Sequence, residues 1–447
     1  MTVTMLKILG CGLRAAVLVV AVAGLLGGTP TAQAADWPQW RGPNRDGSST
    51  ETGWRSQWPE GGPKVLWKAR VGAGHSSVVV VGERAYAAGR SWKVDAKGGP
   101  VKGENGKNVG SETVWCFDAN TGKVVWQHAA DCQNLGCNDW GTNSTPAVFD
   151  GLVYAYGAPG VVTCLDGATG REVWARDLAR DYAAKLNIYG CYAGSPLVVD
   201  EGVIVECGGE QPLLAALDRK TGREVWKYGK ATEIGGASSP VPYRVGNRTG
   251  IVHLARGQAV GLAAGDGKEL WHYPWPVCAL MTPLVHGDRV YVSGVQEGVR
   301  LGTVLELGQN PPKPVWSSKE TISYFQSSVL VDGHLFGTHA PGYEATKTRL
   351  RCVAFDTGKV TWEHPEKGLG HATLIAADHK LIILSQEGVL MVAEASPHGF
   401  KKLASAKVLD HTCYNCECYT CPTLSHGRIY CRSGGGELVC LDVRTGQ

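Results

Sequence analysis

The sequence predicts an all-β protein: an eight-bladed β-propeller of four-stranded antiparallel blades, closed by pairing of an N-terminal strand into the last blade. Three observations lead there. A strand, a turn and a strand ending on tryptophan recur at intervals of ~40–50 residues. A second hairpin signal recurs in step with them. The final copy breaks off after its turn, and a strand of the missing kind stands alone around Val65.

The clearest copy runs from Trp115 to Trp126 and reads Trp-Cys-Phe-Asp-Ala-Asn-Thr-Gly-Lys-Val-Val-Trp. Asp118 and Thr121 are placed to hydrogen-bond the turn's backbone, and Gly122 supplies the positive φ such a turn needs. Trp126 is thereby carried to a fixed place on the second strand. Further copies run from Cys164 to Trp174 and from Leu217 to Trp226. Weaker ones lead to Trp271, to Trp316 through an Asn310-Pro311-Pro312 turn, and to Trp362. In a worn copy from Val389 to Leu403 the tryptophan is gone. The copy from Cys440 to Gly446 stops after its turn, while Pro63 to Trp67 has the composition of the absent strand. A ring closed with that strand accounts for both gaps. Trp67, Trp126, Trp174, Trp226, Trp271, Trp316, Trp362 and the Leu403 slot then number eight blades.

Each repeat opens with a hairpin in which two β-rich runs flank Asp-Gly or Gly-Asp, as in Ser144 to Tyr154. Ser76 to Tyr86, Ser195 to Val205, Thr282 to Tyr291, Ser327 to Phe336, Thr373 to Ile382 and Cys421 to Tyr430 repeat the signal, and Ser238 to Leu254 is a longer version. Four antiparallel strands put the Asp-Gly and Thr-Gly turns on one face and the blade connections on the other. The connection face carries the long insertions Gly89 to Ser111, Gln127 to Asn143, Ala175 to Gly194 and Val408 to Thr420. Variable loops on a rigid frame are where binding sites concentrate.

Residues 1–34 read as a secretory leader: Lys7 and Arg14 flank the apolar run Ala15 to Leu26, and Ala32-Gln33-Ala34 is a small-x-small cleavage site. The mature chain is expected to start at Ala35 and to be periplasmic or extracellular, and no other apolar stretch approaches membrane-spanning length. Residues 35–62 form an aperiodic arm rich in Trp and Pro, expected to lie across the ring's surface with its tryptophans as anchors, and residues 63–447 form the propeller. A formal net charge of +3 without a basic run excludes a nucleic-acid footprint. A monomer is expected.

Of the fifteen cysteines, Cys116, Cys164 and Cys440 sit two residues before a turn aspartate, in the slot Ala216 fills elsewhere, and read as small buried thiols. Cys207 and Cys431 occupy matching strand positions and read the same way. Cysteines on the connection side differ. Cys132 and Cys137 share one insertion, and Cys413, Cys416, Cys418 and Cys421 form C-x2-C-x-C-x2-C. Export makes disulfides the default for these, with a metal site at the four-cysteine run as the alternative. Aligning the hairpins puts two tiers at the channel mouth. One holds His75, Asn143, Ala193, Ala237, Leu280, Phe325, His371 and Tyr419; the next holds Ser76, Ser144, Gly194, Ser238, Met281, Gln326, Ala372 and Thr420. His75, Asn143, Gln326, His371 and Tyr419 are the candidate ligand-binding residues. No catalytic residue is expected, since no nucleophile elbow, His-Glu-x-x-His or phosphate loop occurs.

The Asp-x-x-Thr-Gly-x-x-x-Trp repeats resemble the tryptophan-docking motifs of quinoproteins, propellers built on pyrroloquinoline quinone (PQQ) repeats, over Asp36 to Gln447. Trp-Pro-Gln-Trp-Arg-Gly-Pro resembles the opening of exported bacterial PQQ-repeat proteins. The resemblance implies that Trp67, Trp126, Trp174, Trp226, Trp271, Trp316 and Trp362 wedge between adjacent blades. Quinoprotein alcohol dehydrogenases hold PQQ with a calcium ion on carboxylate and amide side chains, beneath a disulfide between adjacent cysteines. This sequence has no adjacent cysteine pair, and the two tiers hold no carboxylate. The propeller is also similar to the lipoprotein of the outer-membrane β-barrel assembly machinery, a non-enzymatic scaffold. The expectation is therefore an exported scaffold that binds a protein or small polar ligand through its loop face, without a cofactor. A PQQ- and calcium-dependent alcohol dehydrogenase, and a carbohydrate-binding or carbohydrate-processing propeller using the arm's tryptophans, are the alternatives.

Overall fold

The computed structural model describes residues 35–135, 141–183, 192–208, 212–229, 238–276, 281–296, 299–321, 323, 326–339, 347–365, 369–410 and 417–445. These residues form eight sheets built on four antiparallel strands each, consecutive in the chain except where the chain ends meet, and one sheet carries a fifth strand from the arm. Blade 1 consists of Val79–Val81, Arg84–Trp92, Val109–Asp118 and Val124–Gln133. Blades 2 to 7 follow in chain order, opening with Ala147–Phe149, Leu197–Val199, Val241–Val245, Leu284–His286, Val329–Val331 and Thr373–Ala377. Blade 8 joins Thr423–Ser425, Arg428–Arg432 and Glu437–Asp442 to the N-terminal strand Lys64–Arg70. That strand runs antiparallel to the last one, from Lys64 opposite Asp442 to Arg70 opposite Glu437, and closes the ring. No helix among the described residues is long and apolar enough to cross a membrane.

A shared irregularity explains how the tryptophans reach the next blade. In blade 2, Cys164 pairs with Trp174 but Leu165 with Glu172, so Val173 is skipped as a bulge. Blades 1, 3 and 8 skip Val125, Val225 and Leu66 in the same way. A bulge bends the strand and re-aims the following side chain. Trp67, Trp126, Trp174, Trp226, Trp316 and Trp362 then donate Nε1–H to the backbone carbonyls of Ala119, Gly167, Arg219, Ala264, Phe355 and Ser396 in the following blade, at 2.7–3.0 Å. Asp118 of the receiving turn accepts from Thr121 N and Thr121 Oγ1, both at 2.9 Å, and the threonine hydroxyl holds its carboxyl below the usual range. Gly170 lies so close over the Trp126 ring that a Cβ there would fall 2.6 Å from Cδ2.

Two blades depart from the repeat. Trp271 donates instead to Tyr243 Oη of its own blade at 3.0 Å, because the turn that should receive it is Asn310-Pro311-Pro312 and offers no Thr-Gly corner. In blade 7 the bulged residue is Leu403, so Ala404, opposite Val392, takes the tryptophan's register. The vacant slot is Ala404, one residue later than the sequence pattern suggested. The register also accounts for the small residues at the slot: Cys116, Cys164, Ala216, Cys352 and Cys440 each lie directly opposite a tryptophan. All four of these cysteines are buried free thiols.

The core lies between blades. Leu197, Ile204, Leu214 and Ala216 of blade 3 pack on Ile251, Val260 and Leu262 of blade 4, and similar clusters fill the other joints. Burying each such side chain is worth ~1.5–3 kcal/mol.

Candidate functional site

First strands of neighbouring blades lie against each other at the joints of blades 1–2, 2–3, 4–5 and 6–7, so these strands line the central channel. Where they begin, a belt of hydroxyls stitches the blades together. Ser77 N donates to Thr145 Oγ1 at 2.8 Å, Thr145 N to Ser195 Oγ at 2.9 Å, Ser195 N to Ser239 Oγ at 2.9 Å, and Thr282 N to Ser327 Oγ at 2.9 Å. Thr373 continues the series, and Cys421 takes the remaining position with a thiol. Each bond satisfies an inner backbone group that no strand reaches.

The arm does not rest on the surface. Trp37 pairs with Val80 of blade 1, Pro38 O accepts from Val148 N of blade 2, and Ser48–Ser49 adds a parallel fifth strand to blade 7 against Ala376 and Ala377. Between these anchors the arm enters the channel from the Asp-Gly side. Arg41 donates to Ser327 O at 3.1 Å and Ser328 O at 2.6 Å on blade 6 and lies beside the Cys421 sulfur of blade 8. Arg45 donates to Pro196 O at 2.8 Å and Ser195 O at 3.0 Å on blade 3, and Trp40 Nε1 donates to Thr282 Oγ1 of blade 5. Partners on blades 3, 6 and 8 put both guanidinium groups inside the ring. Arg41 and Arg45 are 1% and 0% exposed, and burial pulls Arg45 down to about 9. Both adopt φ of 59°, a left-handed backbone that persists only where many contacts hold it. The arm is a plug.

The opposite mouth holds the candidate residues. Blades 7, 8, 1 and 2 bring His371, Tyr419, His75 and Asn143 into a crescent. The rings of His75 and Tyr419 are 5.4 Å apart and those of His371 and Tyr419 6.2 Å, while Asn143 Oδ1 accepts from His75 N at 3.3 Å. Burial, aided by the nearby Arg432 cation, lowers His75 to about 4, and burial pushes Tyr419 up to about 12. Gln326 comes from blade 6 one tier deeper. Its Nε2 has no hydrogen-bond partner among the described residues, and neither do Ser144 Oγ, Ser238 Oγ and Thr420 Oγ1 of the same tier. These four residues are at most 4% exposed. Ser144 also borders a wedge of about 120 Å³ between blades 1 and 2, lined by Glu112, Thr142 and Tyr156. Ala237, Leu280 and Phe325 lie outside the described residues.

Sequence reasoning missed Arg432, whose guanidinium donates to Ser76 O at 2.7 Å, Ala88 O at 2.5 Å and Gly72 O at 2.9 Å and so fixes the wall behind His75. It also missed Arg41 and Arg45, although two arginines four apart in an aperiodic arm are a signal of a sort. Of the four-cysteine run, Cys413 and Cys416 lie outside the described residues. Cys421 is a buried free thiol on the channel wall, with its sulfur toward Arg41. Among the described residues no group of three or more His, Cys, Asp or Glu is placed to hold a metal ion.

Blade number, tryptophan docking and channel define a PQQ-repeat type propeller. A family model described as "Outer membrane protein assembly factor BamB" matches residues 110–364, and the chain belongs to that family of PQQ-repeat propellers. The assembly factor BamB of Moranella endobia is 22% identical over 343 residues, covering 72% of this chain and 80% of the relative. Quinohemoprotein alcohol dehydrogenase ADH-IIG of Pseudomonas putida is 29% identical over 123 residues, 26% of this chain and 16% of the enzyme. Among solved structures, BamB from Moraxella catarrhalis superposes with a TM-score of 0.59 at 16% identity, covering 86% of this chain and 98% of that one. Quinohemoprotein alcohol dehydrogenase from Comamonas testosteroni superposes with 0.65 at 15% identity, covering 92% and 81%. At these identities the superpositions speak for the fold alone.

Proposed function

We propose that the protein is an exported interaction scaffold, its leader removed after Ala34, which binds a partner protein through the connection-face loops and the channel mouth. One observation carries this reading: the channel is plugged by the chain's own arm on one face, while on the other buried polar atoms of Gln326, Ser144, Ser238 and Thr420 have no partner among the described residues. Unpaired buried donors and acceptors are costly unless water or a ligand meets them. Kinship with relatives named as assembly factors supports the same reading. The donor set at the mouth is imidazole, amide, phenol and hydroxyl, with no carboxylate in either tier and no adjacent cysteines in the chain. It does not fit a calcium-bound quinone. Trp37 and Trp54 are 1% and 5% exposed, which removes them as sugar-stacking platforms.

Crosslinking in envelope extracts tests the proposal. A partner that crosslinks to the wild type and is lost from Tyr419→Ala and His75→Ala, but retained by Lys220→Glu on the Thr-Gly face, is the expected result. Equal loss from all three, or from none, refutes the loop-face assignment.

A further inference from the structure

Glu51 lies just after the plug and is 2% exposed. Its carboxylate accepts from the backbone nitrogens of Ala35 at 3.1 Å, Gly427 at 2.9 Å and His426. Among the described residues no lysine, arginine or histidine side chain pairs with it. A carboxylate this far from water is ordinarily matched by a cation. One of its three donors is the nitrogen that hydrolysis after Ala34 would free. That atom is held in place from both sides. Ala35 O accepts from Ser425 Oγ at 2.8 Å, and Asp36 Oδ1 accepts from Gly82 N at 2.8 Å and stands 2.7 Å from His426 Nε2.

We propose that Glu51 is the binding site for the mature chain's own α-ammonium group, so that removal of the leader locks the plug in the channel. The inference rests on cleavage between Ala34 and Ala35. Hydrolysis adds water across that bond: the hydroxyl goes to the Ala34 carbonyl carbon, the Ala35 nitrogen takes the hydrogen, and a further proton from solvent makes it the ammonium. A neutral amide donor thus becomes a cation at an atom already in contact with a carboxylate. The pair joins residues 16 apart in sequence, and the loop between them carries Trp37, Arg41 and Arg45. Processing therefore cinches the neck of the plug and leaves the ring untouched.

The amine's own titration reads this out. Besides Glu51, the titratable and charged groups around it are Asp36 from the arm and, from blade 8, His426, Arg428, Tyr430 and the Asp442–Arg444 pair. A paired carboxylate raises the folded amine's pKa above its ordinary ~7.7–8.0. The added stability is then fully present below that ordinary value and lost as pH rises through the raised one.

The experiment uses the exported, purified protein, with intact mass to establish the N-terminus. Competitive acetylation across pH, followed on the N-terminal peptide, then gives the amine's pKa. The expected result is a start at Ala35, an amine titrating roughly one unit or more above the ordinary value, and return to it in Glu51→Gln. A second form, made in the cytosol with one extra residue before Ala35, keeps a neutral amide at that atom. It should melt below the mature protein at pH 7 and approach it near pH ~10. An Ala35 amine with ordinary titration, or an extended form as stable as the mature one, overturns the proposal while leaving the cleavage reading intact. A start at another residue overturns the cleavage reading and the proposal with it.

Discussion

At the joint between blades 3 and 4, Glu206 Oε1 and His253 Nε2 lie 3.9 Å apart, too far to hydrogen-bond, with the two side chains 7% and 0% exposed. Glu206 Oε1 and both imidazole nitrogens lack partners among the described residues. Burial lowers His253 from 6.5 to about 3 and raises Glu206 well above 4.5, so the fold disfavours the charged form of both. The neighbouring Tyr156, Tyr192 and Cys207 are pushed up by burial and stay neutral at acid pH. The two groups then act on stability with opposite signs. His253, depressed, contributes stability that is full above 6.5 and falls away as pH drops toward 3; Glu206, raised, contributes stability that is full below 4.5 and falls as pH rises. Between those limits the two slopes oppose each other.

Removing one partner exposes the other's slope, ~1.4 kcal/mol per pH unit for one proton. Relative to wild type, Glu206→Gln should gain roughly 3 kcal/mol from pH 4.5 to 6.5, the slope left by His253, and His253→Phe should lose stability over that interval. Urea unfolding by tryptophan fluorescence at three pH values in this window measures both. Profiles parallel to the wild type would mean that the pair is ionised in the fold and would refute the reasoning.

The tryptophan dock predicts that Gly170→Ala is worse than Gly151→Ala, since both have φ of 72° but only the former brings a Cβ within 2.6 Å of an indole. Both should lose ~1–2 kcal/mol for the left-handed backbone and Gly170→Ala a further ~1–3 for overpacking, with equal midpoints in urea counting against the dock. Arg45→Met removes donors to two buried carbonyls on blade 3 and should lower stability by ~2–4 kcal/mol and open the arm to limited proteolysis. An arm as protease-resistant as in the wild type would show that the plug does not depend on that guanidinium. Trp126→Phe strands the Gly167 carbonyl and should cost ~1 kcal/mol more than Trp271→Phe, whose partner is a rotatable hydroxyl, as thermal melts would show.

The ring was legible because its signals are local. Thr121, Gly122 and Trp126 lie within six residues, and the turn they build also sets the register that the partner strand must follow. The Leu403 slip shows where local reading fails: a bulge is a property of two paired strands, and nothing in Lys402-Leu403-Ala404 alone says which residue is skipped. The candidate mouth was half legible. Alignment of hairpins put His75, His371 and Tyr419 at one height, and the same alignment, carried two residues further, holds the belt of Ser77, Thr145, Ser195, Ser239, Thr282, Ser327 and Thr373.

The plug left little trace in the sequence, for a physical reason. Arg41 and Arg45 bind main-chain carbonyls 286 and 150 residues away, and a carbonyl has the same identity whatever side chain it belongs to. No complementary charge elsewhere in the chain marks where those arginines go. Yet these contacts decide which mouth of a nearly symmetric ring the arm fills. The repeat builds two faces of similar kind, and thirteen residues from Trp37 to Ser49 make them unlike. If a partner binds as proposed at the far mouth, substitutions in the arm should alter that binding only by unblocking the channel between them.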